Sequence, residues 1–137
     1  MLPLFICYEP ITRKARLLVY DWERRRWPVE RGMQITGLQA ARLYTHLAGV
    51  FGIPAPVLSV RRGNGGGCYY HGAYGKPTRI SLRKRRGVEI CYGTAVHEFA
   101  HHVARYVRRA KVGHGKDFRA ALERCYLAAN TFTKAAI

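Results

Sequence analysis

Negative charge is scarce in this chain. Eight Asp and Glu stand against 24 Lys and Arg in 137 residues, giving a formal net charge of +16. So basic a surface favours polyanionic partners, nucleic acid first and an anionic membrane second, unless the charge serves solubility alone. No apolar run approaches the roughly 20 residues of a membrane span. The opening MLPLFICYEP has neither a basic leader nor a small-residue cleavage site, so it makes a poor secretory signal. The four cysteines, Cys7, Cys68, Cys91 and Cys125, form no C-x-x-C pair, which argues against a zinc ribbon. Scattered in this way, they are expected to be reduced and buried. The glycine-rich stretch RRGNGGG (61–67) lacks the G-K-[ST] of a phosphate-binding loop and reads as a turn or substrate-side loop. These absences point to a cytoplasmic protein, the nucleoid included, with no membrane partner.

Hydrophobic residues make up 48% of the chain, enough for one domain with a core. Residues 1–35 read as an N-terminal extension packed on that core. Within them LFICY and ARLLVY suggest strands, Trp22 and Trp27 flank the basic run ERRR, and Pro28 breaks what precedes it. From Thr36 the pattern is helical: Thr36-x-x-Gln39 is a capping box, Ala40, Leu43, Leu47 and Val50/Phe51 recur at helical spacing, and Gly52 and Pro54 end the run. PVLSV (56–60) predicts a strand, CYYHGAY (68–74) and TRISLR (78–83) a strand pair, and RKRRG (83–87) a basic turn. VEICY (88–92) is a strand end or the lead into a helix that Thr94 caps. Val96, Ala100, Val103 and Val107 would form the apolar side of that helix. A last helix is predicted from about Lys116 to Ala129, burying Phe118, Leu122, Cys125, Tyr126 and Ala129, with Asn130 as its stop and 131–137 as a tail.

The chemistry concentrates in His97-Glu98-Phe99-Ala100-His101, an H-E-x-x-H. Four residues along a helix nearly complete one turn, so the two imidazoles project together and suit adjacent sites on a tetrahedral zinc. Glu98, about 100° round from His97, can stand beside the metal without ligating it and take a proton from a water that the metal acidifies. The bland alternative is a chance cluster of polar residues on a packed helix. A catalytic zinc takes three protein ligands, so the third is the discriminating residue. Arg105 and Arg108 occupy the places where an extended metzincin motif would need Gly and His. Two candidates remain: His114, thirteen residues after His101, and Glu123, twenty-two after it. A helix continuing to Val112 would carry the chain about 16 Å past His101, too far for His114 to return. A His114 ligand therefore requires the helix to end before about Ala110.

HEFAH followed, after twelve residues, by HGKDF (114–118) resembles the SprT-like (Spartan-like) zinc metallopeptidases. GGCYY (66–70) and RISL (79–82) match, more loosely, the strand pair before that family's active helix. The resemblance covers about residues 36–130. It implies an α+β, zincin-like minimal metallopeptidase core, with zinc held by His97, His101 and His114 and Glu98 as general base. It also implies that Phe118 packs behind the site. The zinc-ribbon tail of many bacterial members is missing, so substrate recruitment is expected from the core surface or another protein.

Basic clusters lie at Arg24, Arg25 and Arg26; at Arg61 and Arg62; at Arg83, Lys84, Arg85 and Arg86; and over 105–111, including Arg108, Arg109 and Lys111. With Tyr and Trp nearby they suit DNA, single-stranded above all, although solvated loops would read the same. Tyr69, Tyr70, Tyr74 and Tyr92 are candidate oxyanion stabilisers. His102 points away from His101 and reads as a surface or supporting histidine, Glu123 as a surface or supporting carboxylate. The strand over 79–83 is expected to hold an extended substrate by edge pairing. The combined expectation is a zinc peptidase acting on proteins bound or crosslinked to DNA. Its rivals are a regulatory peptidase independent of DNA and a nucleic-acid-binding module with a structural zinc. The last needs a fourth ligand such as Cys91, Cys125 or His102.

Overall fold

The computed structural model describes residues 5–7, 13–63, 66–72, 77–84, 89–106 and 116–136. These form a mixed α+β arrangement of helices around two small sheets. The helices are α1 (Arg13–Arg26), α2 (Pro28–Gly32), α3 (Gly37–Phe51), α4 (Tyr92–Tyr106) and α5 (Lys116–Ala136). The strands are β1 (Phe5–Cys7), β2 (Gln34–Ile35), β3 (Val57–Arg62), β4 (Gly67–Gly72), β5 (Arg79–Lys84) and β6 (Ile90–Cys91).

Local chemistry explains several boundaries. The Thr36 hydroxyl accepts from the Gln39 backbone N–H at 3.1 Å, and the Gln39 side chain accepts from the Thr36 N–H at 2.8 Å, so the capping box forms as read. Gly52 closes α3 in the left-handed conformation at φ 65°. Pro28 opens α2, where its missing N–H costs nothing.

Elsewhere the expectations need correction. ARLLVY lies in helix α1, because Val19, Glu23 and Trp27 recur every four residues and bury one face. Thr94 does not cap α4; the helix starts at Tyr92, directly from β6, and Thr94 lies in its first turn. Asn130 does not end α5, which runs on to Ala136 through the predicted tail. Its amide instead donates to Glu30 at 2.7 Å and accepts from the Tyr92 hydroxyl at 2.9 Å. Such partners across a packed interface outweigh its weak helix propensity.

The larger sheet has the order β1-β4-β5-β3. β4 and β5 pair antiparallel, as expected of neighbours, whereas β3 pairs with β5 in parallel from Val57↔Arg79 to Arg62↔Lys84. β5 therefore has a neighbour on each side and cannot offer an edge to a substrate, which overturns that expectation. Cys68 on β4 is disulfide-bonded, while Cys91 and Cys125 are free. Four reduced thiols were expected, but spacing along a chain does not reveal which cysteines a sheet brings together. The disulfide also removes the cysteine-based argument for a reducing compartment. Among the described residues, no helix is long and apolar enough to cross a membrane.

One core unites these layers. Val19, Trp27 and Ile35 from the first thirty-five residues pack in the same buried cluster as Leu43, Leu47, Ile80, Leu82, Phe99 and Leu122. The predicted stripe of α5 is buried in full, from Phe118 to Ala129. Because the α3 cap is exposed and packs little else, Thr36→Ala should cost about 1 kcal/mol. The check is a lower urea midpoint at unchanged slope.

Candidate metal and catalytic site

Helix α4 is enclosed by α2, α3, α5 and β4, so its residues from Tyr92 to Ala104 are buried. His97 and His101 are 3% and 5% exposed and Glu98 4%. The two imidazoles stand with ring centroids 5.2 Å apart, one turn from each other as the spacing required. Phe118 of α5 lies behind both, 5.0 Å from the His97 ring and stacked 4.2 Å from that of His101.

Beside them opens a cleft of about 270 Å³, lined by Tyr20 and Arg24 of α1, Arg31 of α2, Gly66, Gly67, and Thr94, His97 and Glu98 of α4. Its wall at β4 leaves little room for a side chain at Gly67. A Cβ on Gly67 would sit 3.0 Å from Glu98 Cγ and 3.1 Å from the Ser81 carbonyl oxygen. The glycine-rich stretch thus serves the cleft through the close approach of its backbone to Glu98.

The unanticipated element is Glu23. It is fully buried, although it begins the run ERRR. Its Oε1 accepts from His97 Nδ1 at 2.8 Å, and its Oε2 accepts from the Tyr126 hydroxyl at 2.5 Å and from Arg31 Nη1 at 3.4 Å. Burial pushes the Glu23 carboxyl towards its neutral form, but the hydrogen bond and charge of His97, with the charge of Arg31, bring its pKa below the usual 4.5. Burial likewise disfavours the His97 imidazolium, and Glu23 overcomes this and raises the pKa above the usual 6.5. A sequence signal existed: the spacing Val19, Glu23, Trp27 places an acid on the apolar face of a helix. Tyr20, with its ring 5.2 Å from that of His97, was also not singled out.

Other residues take quieter places. His102 is fully buried, which excludes a surface role; its Nε2 meets the Pro54 carbonyl oxygen at 2.6 Å and its Nδ1 the Tyr69 hydroxyl at 3.3 Å. Glu123, 47% exposed, pairs with Arg26 at 3.6 Å. Tyr92 donates to Asn130, and Tyr70 lies under Arg79. Arg61 and Arg62 register beside Arg83 and Lys84 on β3 and β5, bringing two basic clusters together. His114, Tyr74, Arg85, Arg86, Val107, Arg108, Arg109 and Lys111 lie outside the described residues. So does the place where the helix was required to end for His114 to return.

For a zinc ion the donor chemistry fits in part. Two imidazoles share one buried strip, and a carboxylate on Nδ1 of one would direct its Nε2 towards a metal. Among the described residues, no group of three or more His, Cys, Asp or Glu converges to hold a metal. Comparison with family models, curated proteins and solved structures finds no match to this chain.

Gly67→Ala should displace Glu98 and destabilise the fold by about 1–3 kcal/mol, read as a lower denaturant midpoint. In metal-free protein, the raised His97 pKa contributes stability that is complete below pH 6.5 and fades as pH rises through the folded value. The lowered Glu23 pKa contributes above pH 4.5 and is lost as pH falls through its folded value. Stability against pH should therefore crest between these limits, and Glu23→Gln should flatten the crest in denaturation series.

Proposed function

We propose that the chain is a zinc-dependent endopeptidase of zincin-like fold that cuts proteins bound or crosslinked to DNA. The observation that carries this reading is that His97 and Glu98 line one cleft while His101 stands a turn along the same buried helix. His97 and His101 would hold the metal, with His114 as the third ligand that the HGKDF resemblance implies. Zinc, when bound, supplies the charge that acidifies a water and polarises the scissile carbonyl. Glu98 takes the proton of the attacking water and returns it to the leaving amine. Gly66 and Gly67 leave backbone, not side chain, along the cleft wall where a peptide would lie. Arg24 and Arg31 add positive charge to the same cleft.

The DNA part of the proposal is supported by the charge of +16 and by the registered pairs Arg61–Arg83 and Arg62–Lys84. Two of the candidate fourth ligands of the structural-zinc alternative are already engaged. Both ring nitrogens of His102 have partners, and the Cys91 thiol donates to the Arg31 carbonyl oxygen at 3.2 Å.

The test is cleavage of a protein crosslinked to single-stranded DNA by the zinc-loaded chain and by its Glu98→Gln variant. The wild type should cut, and the variant should lose roughly 10²–10⁴-fold in rate while still binding zinc. Arg61→Ala and Arg83→Ala should each lower the salt dependence of DNA binding by about one unit of slope. Zinc and DNA binding with the substrate left intact would replace the peptidase reading with a binding module.

A further inference from the structure

We propose that Glu23 is the positioning residue of the metal site, so that helix α1, outside the stretch that resembles a known family, is part of the functional domain. This rests on the zinc-peptidase reading above and deepens it.

A carboxylate with no solvent exposure on a strongly basic chain has to be matched by partners. Those of Glu23 come from three other elements and divide its two oxygens between two tasks. Oε1 faces His97 Nδ1 at 2.8 Å. Oε2 is held by the Tyr126 hydroxyl from α5 at 2.5 Å and by Arg31 from α2 at 3.4 Å. The first contact fixes the histidine; the second pair fixes the carboxylate. Tyr126 is itself held by stacking on Trp27, with centroids 4.1 Å apart and planes 17° from parallel. The chain of support thus runs from Trp27 to Tyr126, Glu23 and His97.

The effect on His97 is specific. A carboxylate opposite Nδ1 keeps the hydrogen on that nitrogen, presents Nε2 to a metal, and raises the basicity of the ring. An ion pair between Glu23 and Arg31 alone would not demand this arrangement. Arg31 is the more distant partner and is itself 28% exposed, whereas His97 is buried and closer. Close approach at Gly93 lets the cluster form: a Cβ there would lie 2.7 Å from Arg31 Cδ and 3.1 Å from the Tyr126 hydroxyl.

The experiment measures zinc affinity by competition with a chromophoric chelator. It compares the full chain with its Glu23→Gln, Glu23→Asp and Tyr126→Phe variants, each checked for folding by circular dichroism without metal. Cobalt absorption spectra report ligand geometry independently of catalysis. Glu23→Gln should bind zinc roughly 10–100-fold more weakly and shift the cobalt spectrum while remaining folded. Glu23→Asp should recover part of the loss. Tyr126→Phe, which leaves the His97 contact but frees the carboxylate, should weaken zinc several-fold, and it decides the matter if Glu23→Gln does not fold. Wild-type zinc affinity with an unchanged cobalt spectrum in folded Glu23→Gln, or in Tyr126→Phe if Glu23→Gln is unfolded, overturns the positioning role and leaves the peptidase reading standing. A wild-type chain that binds no zinc overturns both.

Discussion

Helix α4 is buried along almost its whole length and circumference, yet four of its buried side chains, His97, Glu98, His101 and His102, are acidic or basic. A helix buried all round is ordinarily apolar all round. Each polar group placed there needs partners, because burial strips away most of the solvent that would otherwise supply them. Much of the remaining architecture can be understood as meeting that demand. β4 brings Tyr69 to one side of His102, and the turn after α3 brings the Pro54 carbonyl to the other. α1 brings Glu23 to His97, and α5 lays Phe118 across both histidines of the H-E-x-x-H. Tyr44 of α3 donates to the Ala95 carbonyl at 2.7 Å and ties the first turn of the same helix.

Helices far apart in the sequence therefore meet at one carboxylate. Glu23 and Tyr126 are separated by 103 positions and joined by a hydrogen bond. The aromatic stack of Trp27 on Tyr126 supplies packing beyond its buried area and holds α1, α2 and α5 in register around the site. This is why the first thirty-five residues, which give no motif, contribute both to the core and to the cleft.

What could be read from the sequence was chiefly what depends on near neighbours. The capping box at Thr36, the αL glycine at 52, the buried stripe of α5 and the paired strands β4 and β5 all rest on interactions within a few residues or on regular periodicity. The two histidines one turn apart follow from helix geometry in the same way. Contacts set by tertiary packing were hidden. Glu23 sits beside three arginines and looks like a solvated surface acid until Val19 and Trp27 are seen four residues to either side. LLVY favours a strand by composition, and its helical state goes with Val19 in the core and Tyr20 beside His97. The parallel partnership of β3 with β5 could not be anticipated from a short glycine-rich link that normally joins neighbouring strands. Asn130 looked like a helix stop because its weak propensity is visible and its partners on α2 and α4 are not.

That parallel partnership has a mechanical consequence. The chain leaves β3, passes the end of β5, and enters β4 on the far side, so β5 occupies a gap that the glycine-rich link spans. Gly63 N–H donates to the Lys84 carbonyl at 3.1 Å, and Arg83 N–H donates to the Gly66 carbonyl at 3.0 Å. The link is thus a strap fastened at both ends to one inserted strand. The cleft wall at Gly66 and Gly67 therefore takes its position from β5, to which Gly66 is hydrogen-bonded and on which Gly67 registers opposite Leu82.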